Sequence, residues 1–218
     1  DPNFINGIES KKVSTPYGDP SSSLILGFID HIPIVTLSRH GTDHSKSPTN
    51  INYRANIFAL KNEGCTHVIA ATACGSLRES IKPGDFVFPD QFIDKTTKRV
   101  STYFDKDDVQ HVSMGNPFSD NLRSCLEKIC KVEGFNYNNG GTVITIEGPR
   151  FSTKAESMLF RSWGCDIINM TTVPEVILAK ELDLEYQNIA MSTDYDCWRD
   201  NEQEVNMEMI YAVMKQNA

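Results

Sequence analysis

The sequence has no Cys-x-x-Cys pair, no long apolar run, no glycine-rich nucleotide fingerprint and no excess of positive charge. Each absence closes off a class of function. The six cysteines, at positions 65, 74, 125, 130, 165 and 197, have neither zinc-ligand spacing nor the density of a small disulfide scaffold. They read as free thiols in a reducing compartment. No apolar stretch approaches the roughly 18 residues that would suggest a membrane span. No secretory leader is visible, although Asp1 is not a natural initiation residue. Acidic side chains number 29 against 21 basic ones, for a net charge of −8. A chain of that sign does not hold a polyanion through its overall field, which argues against nucleic acid or an anionic membrane as a partner. A small phosphorylated or nucleoside-like ligand in a local pocket stays compatible with it.

What is present is an ordinary globular composition, 39% hydrophobic and 23% charged over 218 residues, enough for one domain with a substantial core. Residues 1–23 are polar and turn-rich and predict no regular element. Short β-branched runs predict strands at 24–29, 33–37, 67–71, 86–88, 91–93, 142–146, 166–170 and 186–191. Helical periodicity predicts helices over 50–62, 119–132, 154–163, about 172–182 and about 202–216. Ser119 and Gly134 read as the caps of the second helix, with Leu122, Leu126, Ile129 and Cys130 facing inward. Thr172 and Glu175 form a capping-box pattern, and Pro174 suits a first helical turn. Residues 94–113 read as a mobile polar loop. Strands alternating with helices predict a single α/β domain, a mixed twisted β-sheet flanked by helices, with a site along one edge of the sheet.

The chemistry-bearing residues fall at strand exits. Ser38-Arg39-His40-Gly41 offers a planar fork of donors beside a glycine, a plausible anion clamp but a weak signal alone, because surface Arg-His pairs are common. His40 and His44 lack the neighbouring acid of a metalloprotease pair, so no metal is expected. Thr72-Ala73-Cys74-Gly75-Ser76 has the small residues that make room for a ligand beside the backbone, with the Thr72 hydroxyl and nearby N–H groups able to hold a phosphate or sugar. Cys74 has no general base beside it in sequence and reads as packing rather than nucleophile. Phe151 reads either as a core aromatic or as a flat surface on which a ring could stack. Thr171 is suited to presenting an anion to a helix N-terminus. Asp194 and Asp196, beside Tyr195 and Trp198, read either as an acidic turn or as a pair reading a purine. In the second case one acid, protonated, donates to a ring nitrogen and the other accepts from an exocyclic amine.

Taken together, Ser38-Arg39-His40-Gly41, Thr72-Ala73-Cys74-Gly75-Ser76, Thr145-Ile146-Glu147-Gly148-Pro149-Arg150-Phe151, Ile168-Asn169-Met170-Thr171-Thr172-Val173-Pro174-Glu175 and Thr193-Asp194-Tyr195-Asp196-Cys197-Trp198 resemble the nucleoside phosphorylase family, in its branch acting on 5′-methylthioadenosine. The likeness runs from about Thr15 to Trp198. It implies phosphorolysis: phosphate attacks the anomeric carbon, adenine leaves, and 5-methylthioribose 1-phosphate remains. It implies no cofactor, with inorganic phosphate as co-substrate. By this resemblance Arg39, His40, Thr72, Ala73 and Thr171 bind phosphate. Met170 underlies the ribose with Asn169 nearby, and Phe151 and Ser152 border the base. Asp194 and Asp196 read the base, with Asp194 as the acid, and His40 joins them as a catalytic residue. Met207 and Ile210 match the apolar pocket for the 5′-methylthio group, where the family carries smaller valines. His111 is expected from a neighbouring subunit of a homotrimer.

A pair of acids favours adenine over a 6-oxopurine, whose oxygen would face an acceptor. The resemblance further implies a cytoplasmic enzyme, with the nucleus as a second compartment. It also implies a natural chain that carries a strand and glycine-rich turn before residue 1, a further segment after Ala218 and a longer loop near Asp105–Asp108. The readings left beside it are a hydrolytic nucleosidase, a 6-oxopurine nucleoside phosphorylase, a phosphotransferase with metal on Asp194 and Asp196, and a non-catalytic nucleoside-binding protein.

Overall fold

Two sheets and five helices make up the computed structural model, which describes residues 5–106, 108–200 and 206–216. The first sheet is antiparallel: β1 (Asn6–Lys11), β2 (Leu24–Ile29) and β3 (Ile32–Thr36), in that order. Asp30, at a positive φ of 54°, makes the tight turn between β2 and β3. β1 was not expected from the sequence. All six of its residues are exposed, so it carries no apolar alternation, and it is held by its ladder to β2.

The second sheet has seven strands: β4 (His67–Ser76), β5 (Phe86–Phe88), β6 (Gln91–Lys95), β7 (Tyr137–Asn139), β8 (Thr142–Ile146), β9 (Ile167–Asn169) and β10 (Glu185–Asp194). Their order is β6-β8-β9-β4-β10-β5-β7. β6, β8 and β9 run parallel to one another, and β4 runs parallel to β10 over eight consecutive pairs from His67↔Glu185 to Cys74↔Ser192. Between these blocks the direction reverses, because β9 meets β4 antiparallel through only Gly75↔Ile168 and Ser76↔Ile167. This short seam in the middle of the sheet, rather than an outer strand, is where the expected site residues gather.

β4 and β10 are both longer than their apolar runs suggest. The expected ends, Ala71 and Met191, give way to polar residues that continue the ladder to Ser76 and Asp194. Burial alternates along β4, and Ile69 is 55% exposed, so one face of this strand is open at its start.

The helices are α1 (Tyr53–Asn62), α2 (Asp120–Glu133), α3 (Lys154–Ser162), α4 (Thr172–Glu181) and α5 (Met207–Gln216). α1 is preceded by a short 3-10 turn, Pro48–Asn50, and Asn52 caps it by accepting from the Ala55 N–H. Ser119 caps α2 through the Leu122 N–H, and Gly134 closes it at a left-handed φ of 76°. Cys130 is buried as expected, but Ile129 points outward and is 54% exposed. α3 starts with a reciprocal box between Thr153 and Glu156.

The box expected between Thr172 and Glu175 does not form. Val173 is extended (φ −101°, ψ 133°) and interrupts the first turn of α4, and the Glu175 carboxylate is committed elsewhere. The start of the last helix expected near 202 lies partly outside the described residues. α1 and α4 pack in one apolar cluster that includes Ile57, Val176 and Leu178, while Ile144, Phe160 and Trp198 belong to a second. The seam of the sheet brings these two clusters together.

Candidate active site

A cavity of about 860 Å³ opens at the seam. The loop after β3 supplies Arg39 and His40, and β4 supplies Thr72 and Ala73. Phe151 and Ser152 come from the segment after β8, and Asn169, Met170 and Thr171 from the exit of β9. The end of β10 contributes Asp194 and Asp196, and α5 contributes Met207 and Ile210. His111 is exposed and does not line this cavity.

One end of the cavity carries an ion pair of a half-buried arginine and a buried glutamate. The Arg39 guanidinium donates through both Nε and Nη2 to the two oxygens of Glu175, and through Nη1 to the Ala71 carbonyl at 3.1 Å. Tyr186 donates its hydroxyl to Glu175 at 2.9 Å. Burial by itself pulls the Arg39 pKa down, but the facing Glu175 carboxylate more than offsets this and holds it above its ordinary value. A guanidinium has five N–H groups and these contacts engage three, so two remain for a ligand.

Gly41, at φ +82°, turns the chain after Arg39-His40, and the Gly41 N–H bonds back to the Ser38 carbonyl at 3.0 Å. His40 is fixed by the Lys46 carbonyl at 2.9 Å from Nδ1 and by stacking on His44 at 4.5 Å between centroids. Burial lowers its pKa, which favours the neutral ring. Its other ring nitrogen is then free to meet a ligand.

Thr72 lines the cavity, and its hydroxyl is held within the protein. It donates to Asn188 Oδ1 at 3.0 Å and accepts from Asn169 Nδ2 at 3.3 Å. Asn169 also donates to Thr172 at 2.7 Å and accepts from Thr145 at 3.1 Å. This buried polar network ties β4, β8, β9 and β10 together beneath the cavity.

At the other end lie the two acids. Asp194 Oδ2 accepts from the Thr193 hydroxyl and Oδ1 from the Asp196 N–H, both at 2.7 Å. Burial raises the Asp194 pKa; those two hydrogen bonds oppose the shift and the charge of Asp196 adds to it. Burial likewise raises that of Asp196. Asp196 stands at a left-handed φ of 51°. Gly75 makes the arrangement possible: a Cβ there would come within 3.0 Å of Asp194 Oδ1 and 3.2 Å of Asp196 Cβ. Trp198 anchors the turn by donating Nε1 to the Ser76 carbonyl at 2.8 Å, with the Arg161 guanidinium 3.5 Å from its ring centroid.

Neither Cys74, in the cavity, nor Cys197, beside it in the turn after β10, is poised as a nucleophile. Burial pushes Cys74 well above its ordinary pKa, and Cys197, beside Asp196, is pushed up to about 11 by burial first and by that carboxylate second. Among the described residues no group of three or more His, Cys, Asp or Glu side chains is placed to hold a metal ion.

Sequence reasoning missed several participants. Glu175 looked like a helix cap because its spacing from Thr172 fits one. Tyr211 and Met214 join Met207 and Ile210 on the cavity side of α5, a face the helical period predicts once the anchor residues are known. The run His44-Ser45-Lys46 lines the cavity from a turn whose sequence carries no distinguishing signal. Arg99 reaches the underside of the site from the segment expected to be mobile, and nothing in that polar stretch marked it as buried.

The phosphorylase superfamily family model matches residues 4–218. The chain is 53% identical over 223 residues to S-methyl-5'-thioadenosine phosphorylase of Danio rerio, covering 100% of this chain and 80% of the relative. It is 54% identical over 222 residues to the protein of the same name from Aedes aegypti, with the same coverage. Among solved structures, it superposes with a TM-score of 0.95 on methylthioadenosine phosphorylase from Schistosoma mansoni in complex with adenine, at 40% identity, covering 100% of this chain and 82% of that one. A point variant of the adenosine/methylthioadenosine phosphorylase from the same organism, in complex with methylthioadenosine, matches at 39% identity and a TM-score of 0.93, again covering 100% of this chain and 82% of that one.

Proposed function

The chain belongs to the phosphorylase superfamily, and from that premise we propose that it cleaves 5′-methylthioadenosine with inorganic phosphate, yielding adenine and 5-methylthioribose 1-phosphate. The observation that carries this reading is one cavity with a cationic end at Arg39 and a pair of buried acids, both shifted toward protonation, at the other. It is supported by relatives that bear this activity in their names.

Phosphate sits against the free N–H groups of Arg39, with His40, Thr72, Ala73 and Thr171 around it. Met170 lies under the ribose beside Asn169, and Phe151 and Ser152 border the base. The bond from C1′ to the purine breaks as a phosphate oxygen bonds to C1′. Positive charge grows on the sugar and negative charge on the base, so the reaction needs the phosphate held in line and a proton for the leaving group. Asp194 gives that proton and later regains one from solvent. Asp196 accepts from the 6-amino group, which selects adenine. Met207 and Ile210 face the 5′-methylthio group. No metal or organic cofactor enters this scheme.

The active form in this reading is a homotrimer in the cytoplasm. His111 does not reach the cavity of its own chain, which suits a residue delivered to a neighbouring one. No helix among the described residues is long and apolar enough to cross a membrane.

The test is adenine release from 5′-methylthioadenosine with and without phosphate, with adenosine and inosine in parallel. Strict phosphate dependence and no hypoxanthine from inosine are expected. Release in the absence of phosphate would make the protein a hydrolase instead. Sedimentation of the purified protein as a monomer would remove the role given to His111.

A further inference from the structure

Arg99 follows β6 in a polar stretch, yet its side chain is only 1% exposed. Its guanidinium lies below the cavity and gathers the exits of two strands. Nη1 donates to the Met170 and Val173 carbonyls, each at 2.6 Å. Nη2 donates to the Glu147 carbonyl at 2.7 Å, with the Ile146 carbonyl at 3.4 Å. The Tyr53 hydroxyl is 3.0 Å from Nη1.

The segment carrying Arg99 is itself pinned. The Glu147 carboxylate accepts from the Thr97 N–H at 2.6 Å, the Lys98 N–H at 3.1 Å and the Thr49 hydroxyl at 2.5 Å. Arg99 is therefore a fixed fork aimed at backbone carbonyls of the very turn that supplies Met170 and Thr171 to the cavity.

A peptide unit is planar, and in the trans form its C=O and N–H point to opposite sides. The Met170–Thr171 bond is not one of the two cis bonds in the described structure. With the Met170 carbonyl drawn down to Arg99, the Thr171 N–H is turned the other way, toward the cavity. We propose that Arg99 is a positioning residue for the anion end of the cavity: it holds the Met170 carbonyl so that the Thr171 amide donates to phosphate. This rests on the phosphorolytic reading above.

Calorimetric titration of the unsubstituted protein with inorganic phosphate and, separately, with adenine comes first. Absence of phosphate binding there overturns the reading of the cavity and the Arg99 role with it. With phosphate bound to saturation, the Thr171 amide is followed in a ¹H–¹⁵N spectrum. A phosphate-dependent shift is expected, and an unmoved amide overturns the Arg99 role alone.

The same titrations are then made on Arg99→Lys and Arg99→Met. Both are expected to bind phosphate about tenfold more weakly, the loss associated with one hydrogen bond to a charged group, with adenine affinity unchanged. Lysine keeps the charge but lacks the planar fork. Phosphate affinity preserved in Arg99→Lys would reduce the effect to charge and overturn the proposal, as would an equal loss of phosphate and adenine binding.

Discussion

At the Arg39 end of the cavity, the guanidinium keeps its charge by being paired: Glu175 faces two of its nitrogens, and Tyr186 supports Glu175 from behind. At the other end, Asp194 and Asp196 form no ion pair among the described residues and are pushed toward their neutral forms by burial. The two ends lie in the same cavity and differ in partners rather than in depth. A buried charge with a counter-charge stays ionised and presents fixed donors, whereas buried acids without one hold a proton that can be given away. In the proposed reaction, orientation falls to the first end and proton transfer to the second.

The sharpest break in this contrast is Asp194→Asn, which removes the transferable proton and keeps the shape. A fall in kcat of about two to four orders of magnitude is expected, with an unchanged melting temperature and phosphate KM. Glu175→Gln should act in the opposite manner. Breaking a buried ion pair leaves Arg39 uncompensated and should destabilise the fold by about 3–5 kcal/mol, read as a lower urea midpoint at unchanged m.

Gly75→Ala crowds the base end through its 3.0 Å approach to Asp194 and should destabilise by about 1–3 kcal/mol. The nucleoside KM should rise while the phosphate KM stays put. The smallest effect is a shift in pH dependence. In the proposed reaction the acid works protonated, so the rate should fall as pH rises through the Asp194 pKa. The charge of Asp196 helps hold that pKa up. Asp196→Asn should therefore move the alkaline limb of kcat/KM to lower pH, measured on 5′-methylthioadenosine. A limb moved to higher pH would contradict the assignment of donor and acceptor.

The same division marks what could be read from sequence. The α/β class, most strands and the strand exits of the cavity were legible, because short apolar runs ending in polar or small residues are local signals. So were the Ser119 and Gly134 caps of α2. The failures involve residues whose role is set by a partner far along the chain. Glu175 fits a helix cap three residues from Thr172, but its carboxylate goes to Arg39, 136 positions away. Arg99 sits in a stretch whose polarity reads as solvent-facing, and its carbonyl acceptors lie at 146–147, 170 and 173. β1 lacked a signal for a different reason: an all-exposed strand is held by backbone pairing to β2 and by the Lys11–Glu63 ion pair, neither of which leaves an apolar pattern. Ile129 shows the limit of helical periodicity, since a moderately apolar face can be wider than the surface it covers.

The seam between β9 and β4 also bears on how the molecule comes into being. Its two residue pairs join positions about ninety residues apart, and the neighbouring β4–β10 ladder joins His67 to Glu185. Such distant closures carry a large entropy of loop formation and are slow to reach. No short fragment of the chain contains both the arginine end and the aspartate end. Helices and hairpins can form before these pairs close, so the proposed phosphate and base subsites come together only with that closure. Ligand binding is thus a stringent reporter of native assembly, silent until the last strands have met.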